Sequence, residues 1–218
     1  MAQVLWSGHL RLGVIGARNG RRETPRFAKR LNIVTKKTME DQLILVNEND
    51  ERVGIGEKLN IHREGLLHRA FSIFILNSHG ELLLQRRALN KYHSPGLWSN
   101  TCCGHPRPGE QVMIAARRRL KAEMGLDCQL KRVGSFIYRA DVGVGLVEHE
   151  FDHLLIGHSD LEPTLNLKEA IGWKRAHFAT LEREVSDHPE DFTCWLRVIM
   201  DTQLHKFDLL PKNGARIK

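Results

Sequence analysis

Residues 91–109 are punctuated by Pro95, Gly96, Gly104, Pro106, Pro108 and Gly109, and an amphipathic helix follows directly behind them. Within 110–124, Val112, Ala115, Ala116, Leu120 and Met124 fall on one broad face at helical spacing. Gly125 is a good stop, because glycine accepts the left-handed conformation that ends many helices. A structureless run as long as 91–109 inside a compact domain is usually a working part. The flanking segments supply a sheet for the helix to cover. Residues 43–46 read as a short strand, and 70–76 and 81–86 as a β-hairpin turning at Asn77–Ser78–His79–Gly80. Residues 133–139 and 146–157 read as further strands. In the second of these, Glu148, Glu150 and Asp152 alternate with Val147 and Phe151, which puts the three acids on one face. A segment at 171–178 precedes a last helix that starts near Pro189 and buries Phe192, Trp195, Ile199 and Leu204. This order predicts an α/β sandwich, a mixed β-sheet flanked by helices.

With 218 residues and 41% apolar content, the chain can bury one good core. No stretch reaches the roughly 18 apolar residues that a membrane-spanning helix needs, so no membrane partner is expected. The net charge of +7 invites a nucleic-acid reading, but its distribution argues against one. Residues 1–38 hold nine Lys or Arg against the single acid Glu23, a charge of +8, which leaves 39–218 at −1. Aromatic residues are only 6%, too few for the interleaved aromatic and basic surface of a single-strand binder. The chain therefore divides into a basic, disordered N-terminal extension (1–38) and a folded domain (39–218). The extension is Arg-rich like a mitochondrial transit peptide but contains only Ser7. A targeting peptide, an upstream start and a remnant of cloning all stay open. Four cysteines without a CxxC pair do not make a disulfide framework, which favours a reducing, cytoplasmic compartment.

The segment Gly104-x5-Glu110-x7-Arg118-Arg119-Leu120-Lys121-Ala122-Glu123-Met124-Gly125-Leu126 resembles the Nudix box, matching its spacing over all 23 positions. In that family such a loop and helix set carboxylates on one face, where they hold divalent metal against a diphosphate. Two acids expected in the helix are here Arg119 and Ala122, and only Glu123 remains of the trio. The altered box suits holding a diphosphate better than hydrolysing one.

Three further segments are similar to type I isopentenyl-diphosphate isomerases. They are Trp98-Ser99-Asn100-Thr101-Cys102-Cys103-Gly104-His105-Pro106, upstream Gly65-Leu66-Leu67-His68-Arg69-Ala70-Phe71-Ser72, and downstream Glu148-His149-Glu150. The resemblance spans about 43–195. It implies a Nudix-like domain that interconverts isopentenyl and dimethylallyl diphosphate for isoprenoid synthesis. Cys103 and Glu150 are then the acid/base pair, Tyr138 hydrogen-bonds Glu150, and Trp195 shields the carbocation with its π face. By the same resemblance His62, His68, His105, Glu148 and Glu150 bind Mn²⁺, Zn²⁺ or Mg²⁺, and Glu123 holds a second, diphosphate-bridging Mg²⁺. Lys58, Arg87, Lys91 and Arg119 match the diphosphate-binding positions.

Each assignment competes with a plainer one. A histidine is more often surface or core than ligand, and His149 and His153, pointing the other way along their strand, are expected to be structural. Cys102 reads as the inert neighbour of Cys103. Arg119 and Glu123, four residues apart, could form an ordinary helix ion pair, and Trp195 could simply belong to the core. The competing enzyme is a Nudix hydrolase of a nucleoside diphosphate derivative, which the replacements at Arg119 and Ala122 disfavour. The expected partner is a small diphosphate, not a nucleic acid. The oligomeric state is open.

Overall fold

The computed structural model describes residues 41–202, so the extension 1–38 and Leu204 lie outside the described residues. The elements run β1 (Gln42–Val46), β2 (Arg52–Glu57), α1 (Lys58–Glu64), β3 (His68–Leu76), β4 (Glu81–Arg87), β5 (Trp98–Ser99) and β6 (Cys102–Gly104). Then follow α2 (Val112–Met124), β7 (Leu130–Gly143), β8 (Leu146–His158), β9 (Ala170–His177), α3 (Phe178–Asp187), a 3₁₀ turn at Pro189–Asp191, and α4 (Cys194–Thr202). Within the described residues, all nine strands join one mixed sheet.

The sheet is organised by β3. Its sequence from Ala70 to Leu76 is almost unbroken apolar, and both of its faces are covered, as such runs require. Phe71, Ile73 and Ile75 face Ala115, Ala116, Leu120 and Met124 of α2. Phe74 and Leu76 face the opposite way, toward Leu181 of α3 and Leu196 and Ile199 of α4. The result is three layers, helix–sheet–helix, around a central strand. β8 runs parallel to β3 along its whole length, from His68 beside Glu150 to Leu76 beside His158. That pairing brings the acid-bearing strand next to the His68 motif, 80 residues away in sequence for Ser72 and Asp152.

Several local expectations need correction. The β3–β4 hairpin exists but pairs only Ile75 with Leu83 and Leu76 with Leu82. Beyond that point β3 pairs with β6 and β4 pairs with β9. The loop at 91–109 contains β5 and β6, short strands that anchor it to β4 and β3. The helix expected over 110–124 begins two residues later, at Val112. The helix expected from Pro189 is a 3₁₀ turn, and the true helix starts at Cys194. The segment at 171–178 divides between β9, which ends at His177, and α3, which Phe178 opens.

Candidate active site

α1, unanticipated from sequence, places two groups at once. Glu57 caps it, its carboxylate accepting from Leu59 N at 3.1 Å and Asn60 N at 2.9 Å. Gly65 closes it at φ 62°, a conformation that costs glycine nothing. Lys58 and His62 then stand one turn apart. The Lys58 carbonyl accepts from His62 Nδ1 at 2.6 Å, and the Leu66 carbonyl accepts from His68 Nδ1 at 2.9 Å. A carbonyl can only accept, so both Nδ1 atoms carry the proton and both Nε2 lone pairs face inward.

Those lone pairs converge on the acids of β8. His62 Nε2 lies 3.2 Å from Glu148 Oε2, and His68 Nε2 lies 3.9 Å from it. His68 Nε2 is 3.6 Å from Glu150 Oε1, and His105 Nε2 is 2.8 Å from that same oxygen. The ligand atoms of His62, His68, His105 and Glu148 all fall within 4.8 Å of one another. His62 Nε2, His68 Nε2 and Glu148 Oε2 are buried without a hydrogen-bond partner. Three orphaned buried acceptors aimed at one point cost several kcal/mol unless something cationic satisfies them. A divalent metal fits this donor set. Two of its neighbours are held in place already: Tyr138 Oη donates to Glu150 Oε2 at 2.8 Å, and His93 Nε2 sits 3.1 Å from Glu148 Oε1.

Buried charge shapes the titration of these groups. Burial and Glu150 push the Glu148 carboxyl upward, but the neighbouring His62 and His93 outweigh them and hold it at about 2. Burial drives His105 well below the ordinary imidazole value, and Lys58 adds to that. Asp152, third on the same strand face, is pushed well up by burial and then by Glu150. Its Oδ2 accepts from Ser72 Oγ at 2.8 Å.

β6 separates the two cysteines by strand alternation. Cys102 is fully buried in the apolar cluster beneath α2. Cys103, paired beside Ser72, lines the cavity. Burial pushes its thiol up to about 12, with Arg87 pulling the other way. A Cβ on Gly104 would meet Phe71 Cζ at 3.3 Å, so the bare glycine leaves room for the Phe71 ring.

The cavity holds about 320 Å³, small-molecule scale. Its wall includes Lys58, Arg87, Lys91 and Arg119 together with Cys103, His105, Glu123, Tyr138, Glu148, Glu150 and Trp195. All four expected cations are therefore in one pocket with the acids. His62 and His68 sit behind the wall, fully buried. Arg119 and Glu123 do form the ion pair that their spacing permits, but it faces the cavity. Glu123 Oε2 also accepts from Gln85 Nε2 at 3.2 Å. Trp195 donates from Nε1 to Ser99 Oγ at 2.9 Å, and the Arg87 guanidinium stands 5.0 Å over its ring. His149 and His153 point away, as expected. His149 Nδ1 meets the Gly65 carbonyl at 2.9 Å, and His153 Nε2 lies 3.1 Å from Asp50 Oδ2.

Glu110 and Arg118 of the box act on the backbone. Glu110 accepts from Nε and Nη2 of Arg118, at 2.8 and 2.7 Å, and from the Arg107 amide at 2.9 Å. This clamp fixes the loop against the first turns of α2. Sequence reasoning missed several cavity residues, Tyr92, His93 and Glu169 among them. Glu169 pairs with Lys91 and reaches Arg119 Nη2 at 3.3 Å. No motif marks it, and only the return of the chain into β9 brings it there.

The NUDIX domain model matches residues 66–196. Isopentenyl-diphosphate Delta-isomerase 2 of Aromatoleum aromaticum is 54% identical over 75% of this chain and 86% of its own length. The isopentenyl-diphosphate Delta-isomerase of Serratia proteamaculans is 50% identical over 74% of this chain and 90% of its own. Among solved structures, DR0079 of Deinococcus radiodurans superposes with a TM-score of 0.62 at 22% identity, covering 73% of this chain and 97% of that one. That likeness carries the fold alone. A NUDIX match over most of the described sheet, with identities near one half to curated isomerases, means that this chain belongs to the isopentenyl-diphosphate Delta-isomerase family of the NUDIX superfamily.

Proposed function

We propose that the chain interconverts isopentenyl and dimethylallyl diphosphate, using a divalent metal held by His62, His68, His105, Glu148 and Glu150. The observation that carries this reading is one cavity with four cations on its wall, a thiol and a carboxylate inside it, and orphaned imidazole nitrogens behind it. The metal, when bound, would neutralise the two buried glutamates and fix their orientation. Lys58, Arg87, Lys91 and Arg119 bind the diphosphate, and Glu123 would hold a second Mg²⁺ that supplies further positive charge there. Three imidazoles and two carboxylates make a donor set that Mn²⁺, Zn²⁺ or Mg²⁺ would fit.

The reaction moves two protons. One of Cys103 and Glu150 delivers a proton to the terminal alkene carbon, leaving a tertiary cation. The other removes a proton from the allylic carbon, and the double bond forms there. With its thiol pushed up to about 12 by burial, Cys103 keeps its proton at neutral pH, as a donor must. Tyr138 holds Glu150 by the oxygen that His105 does not touch. The Trp195 indole closes the cavity and presents a π face to positive charge, as its contact with Arg87 illustrates. The hydrolase alternative is disfavoured by Arg119, a cation where an acid would help collect metal around an attacking water. Free cysteines and the lack, among described residues, of a helix able to cross a membrane accord with a cytoplasmic enzyme.

Purified protein incubated with isopentenyl diphosphate and Mg²⁺ or Mn²⁺ is expected to yield the allylic isomer, read by NMR, without release of phosphate. Chelation should abolish this, and added metal should restore it. Phosphate release without the allylic product would overturn the reading.

A further inference from the structure

His93 lies outside every motif that the sequence offers, yet it touches three parts of the site. Its Nε2 is 3.1 Å from Glu148 Oε1. Its carbonyl accepts from Arg87 Nη2 at 3.2 Å. Its ring meets that of Trp195 edge-on, at 5.7 Å and 84°. The side chain is buried, so these contacts are not diluted by water.

The two oxygens of Glu148 are treated differently. Oε2 faces His62 and His68 and has no hydrogen bond, whereas Oε1 faces His93. Ser94 Oγ stands 3.3 Å from His93 Nδ1. A hydroxyl donating to Nδ1 leaves the ring proton on Nε2, which then donates to Oε1. The His93 ring is also set back from the cage. His62, His68, His105 and Glu148 bring their ligand atoms within 4.8 Å of one another, and His93 is not of that group.

We propose that His93 is a positioning residue, holding Glu148 by Oε1 so that Oε2 alone is offered to the metal. It rests on the metal-cage reading above. An unrestrained carboxylate turns easily about its last torsion and can swing both oxygens toward an ion. A donor fixed to one oxygen removes that freedom, and partners of this kind typically change metal affinity 10- to 100-fold. Through its carbonyl and ring, His93 also ties the cage to Arg87 and Trp195, so metal and diphosphate positions share one loop.

The test uses full-length protein stripped of metal, with Mn²⁺ binding measured by calorimetry beside kcat and KM. His93→Leu is expected to weaken Mn²⁺ binding about 10- to 100-fold, with kcat falling at limiting metal and KM for isopentenyl diphosphate little changed. His93→Gln, whose amide can still donate to Oε1, should recover most of the affinity. Unaltered Mn²⁺ affinity in His93→Leu overturns the proposal. Equal loss in the Gln and Leu variants also overturns it, since the imidazole itself would then be a ligand. If His93→Leu does not fold, Ser94→Ala decides, because freeing the tautomer should weaken Mn²⁺ binding several-fold, and no change refutes the role. A wild-type protein that binds Mn²⁺ but isomerises nothing defeats the functional reading and leaves the His93 comparison intact.

Discussion

Tyr138→Phe removes one oxygen from the site and almost nothing else. The phenol is buried, its ring stacks on Phe136 with centroids 5.6 Å apart, and a phenylalanine keeps both the volume and that contact. What goes is the 2.8 Å hydrogen bond to Glu150 Oε2, leaving that oxygen without its donor while His105 still holds the other. A hydrogen bond to a charged group is worth about 1.5–3 kcal/mol net. If the whole loss appears in the activation barrier, turnover falls by about ten- to 150-fold. Because Tyr138 touches the carboxylate and not the cationic wall, the loss should fall on kcat and leave KM for isopentenyl diphosphate within about twofold. The assay is steady-state isomerisation at saturating Mg²⁺, beside a thermal melt to show that the variant stays folded. A variant that turns over within about twofold of wild type would falsify the claim that Tyr138 orients Glu150. A tenfold rise in KM with kcat intact would move Tyr138 to substrate binding instead.

The adjacent cysteines should separate stability from catalysis. Cys103→Ser is expected to lose on the order of 10³-fold in turnover while melting near wild type, whereas Cys102→Ser, which buries a hydroxyl in an apolar cluster, should cost about 1–3 kcal/mol of stability with turnover per folded molecule kept; the reverse pattern would reassign the thiol. Arg119→Glu combined with Ala122→Glu puts new carboxylates beside Glu123 and Glu169, and KM for isopentenyl diphosphate should rise at least about tenfold, with hydrolysis weak or absent; an unchanged KM takes Arg119 out of the diphosphate site. Hydrogen bonds from Arg118 hold Glu110 below the usual carboxylate value despite some burial. The folded state therefore binds the proton less readily than the unfolded chain, and the stabilisation is present above the ordinary carboxylate pKa and lost as pH falls through the folded value. Melting temperatures of Glu110→Gln measured from pH 6 downward should fall less steeply with acid than those of wild type, and parallel curves would refute the clamp. Removal of residues 1–38 should leave kcat nearly unchanged while weakening retention on a polyanion, and a tenfold drop in turnover would make the extension part of the enzyme.

Much of this protein is legible without coordinates, and the legible parts share a cause. The alternating acids of β8 and the one-sided face of α2 are periodic signals, and the unbroken apolar run of β3 marks a strand covered on both faces. Strand alternation also separates Cys102 from Cys103, and the replacements at Arg119 and Ala122 distinguish this box from a hydrolytic one on identity alone. Short or unusually capped elements were not legible. α1 has seven residues, too few to show a period, and its cap is Glu57 where Ser, Thr, Asp or Asn is commoner. α3 follows β9 with no side-chain cap at all. The remaining contributions came only from tertiary structure. Parallel pairing of β3 with β8 sets His68 beside Glu150, and the return of the chain into β9 sets Glu169 against Lys91 and Arg119. His93 reaches Glu148 from 55 positions away in sequence. Local propensity and spacing carry no record of such pairs, because what joins them is the packing of one sheet between two layers of helices.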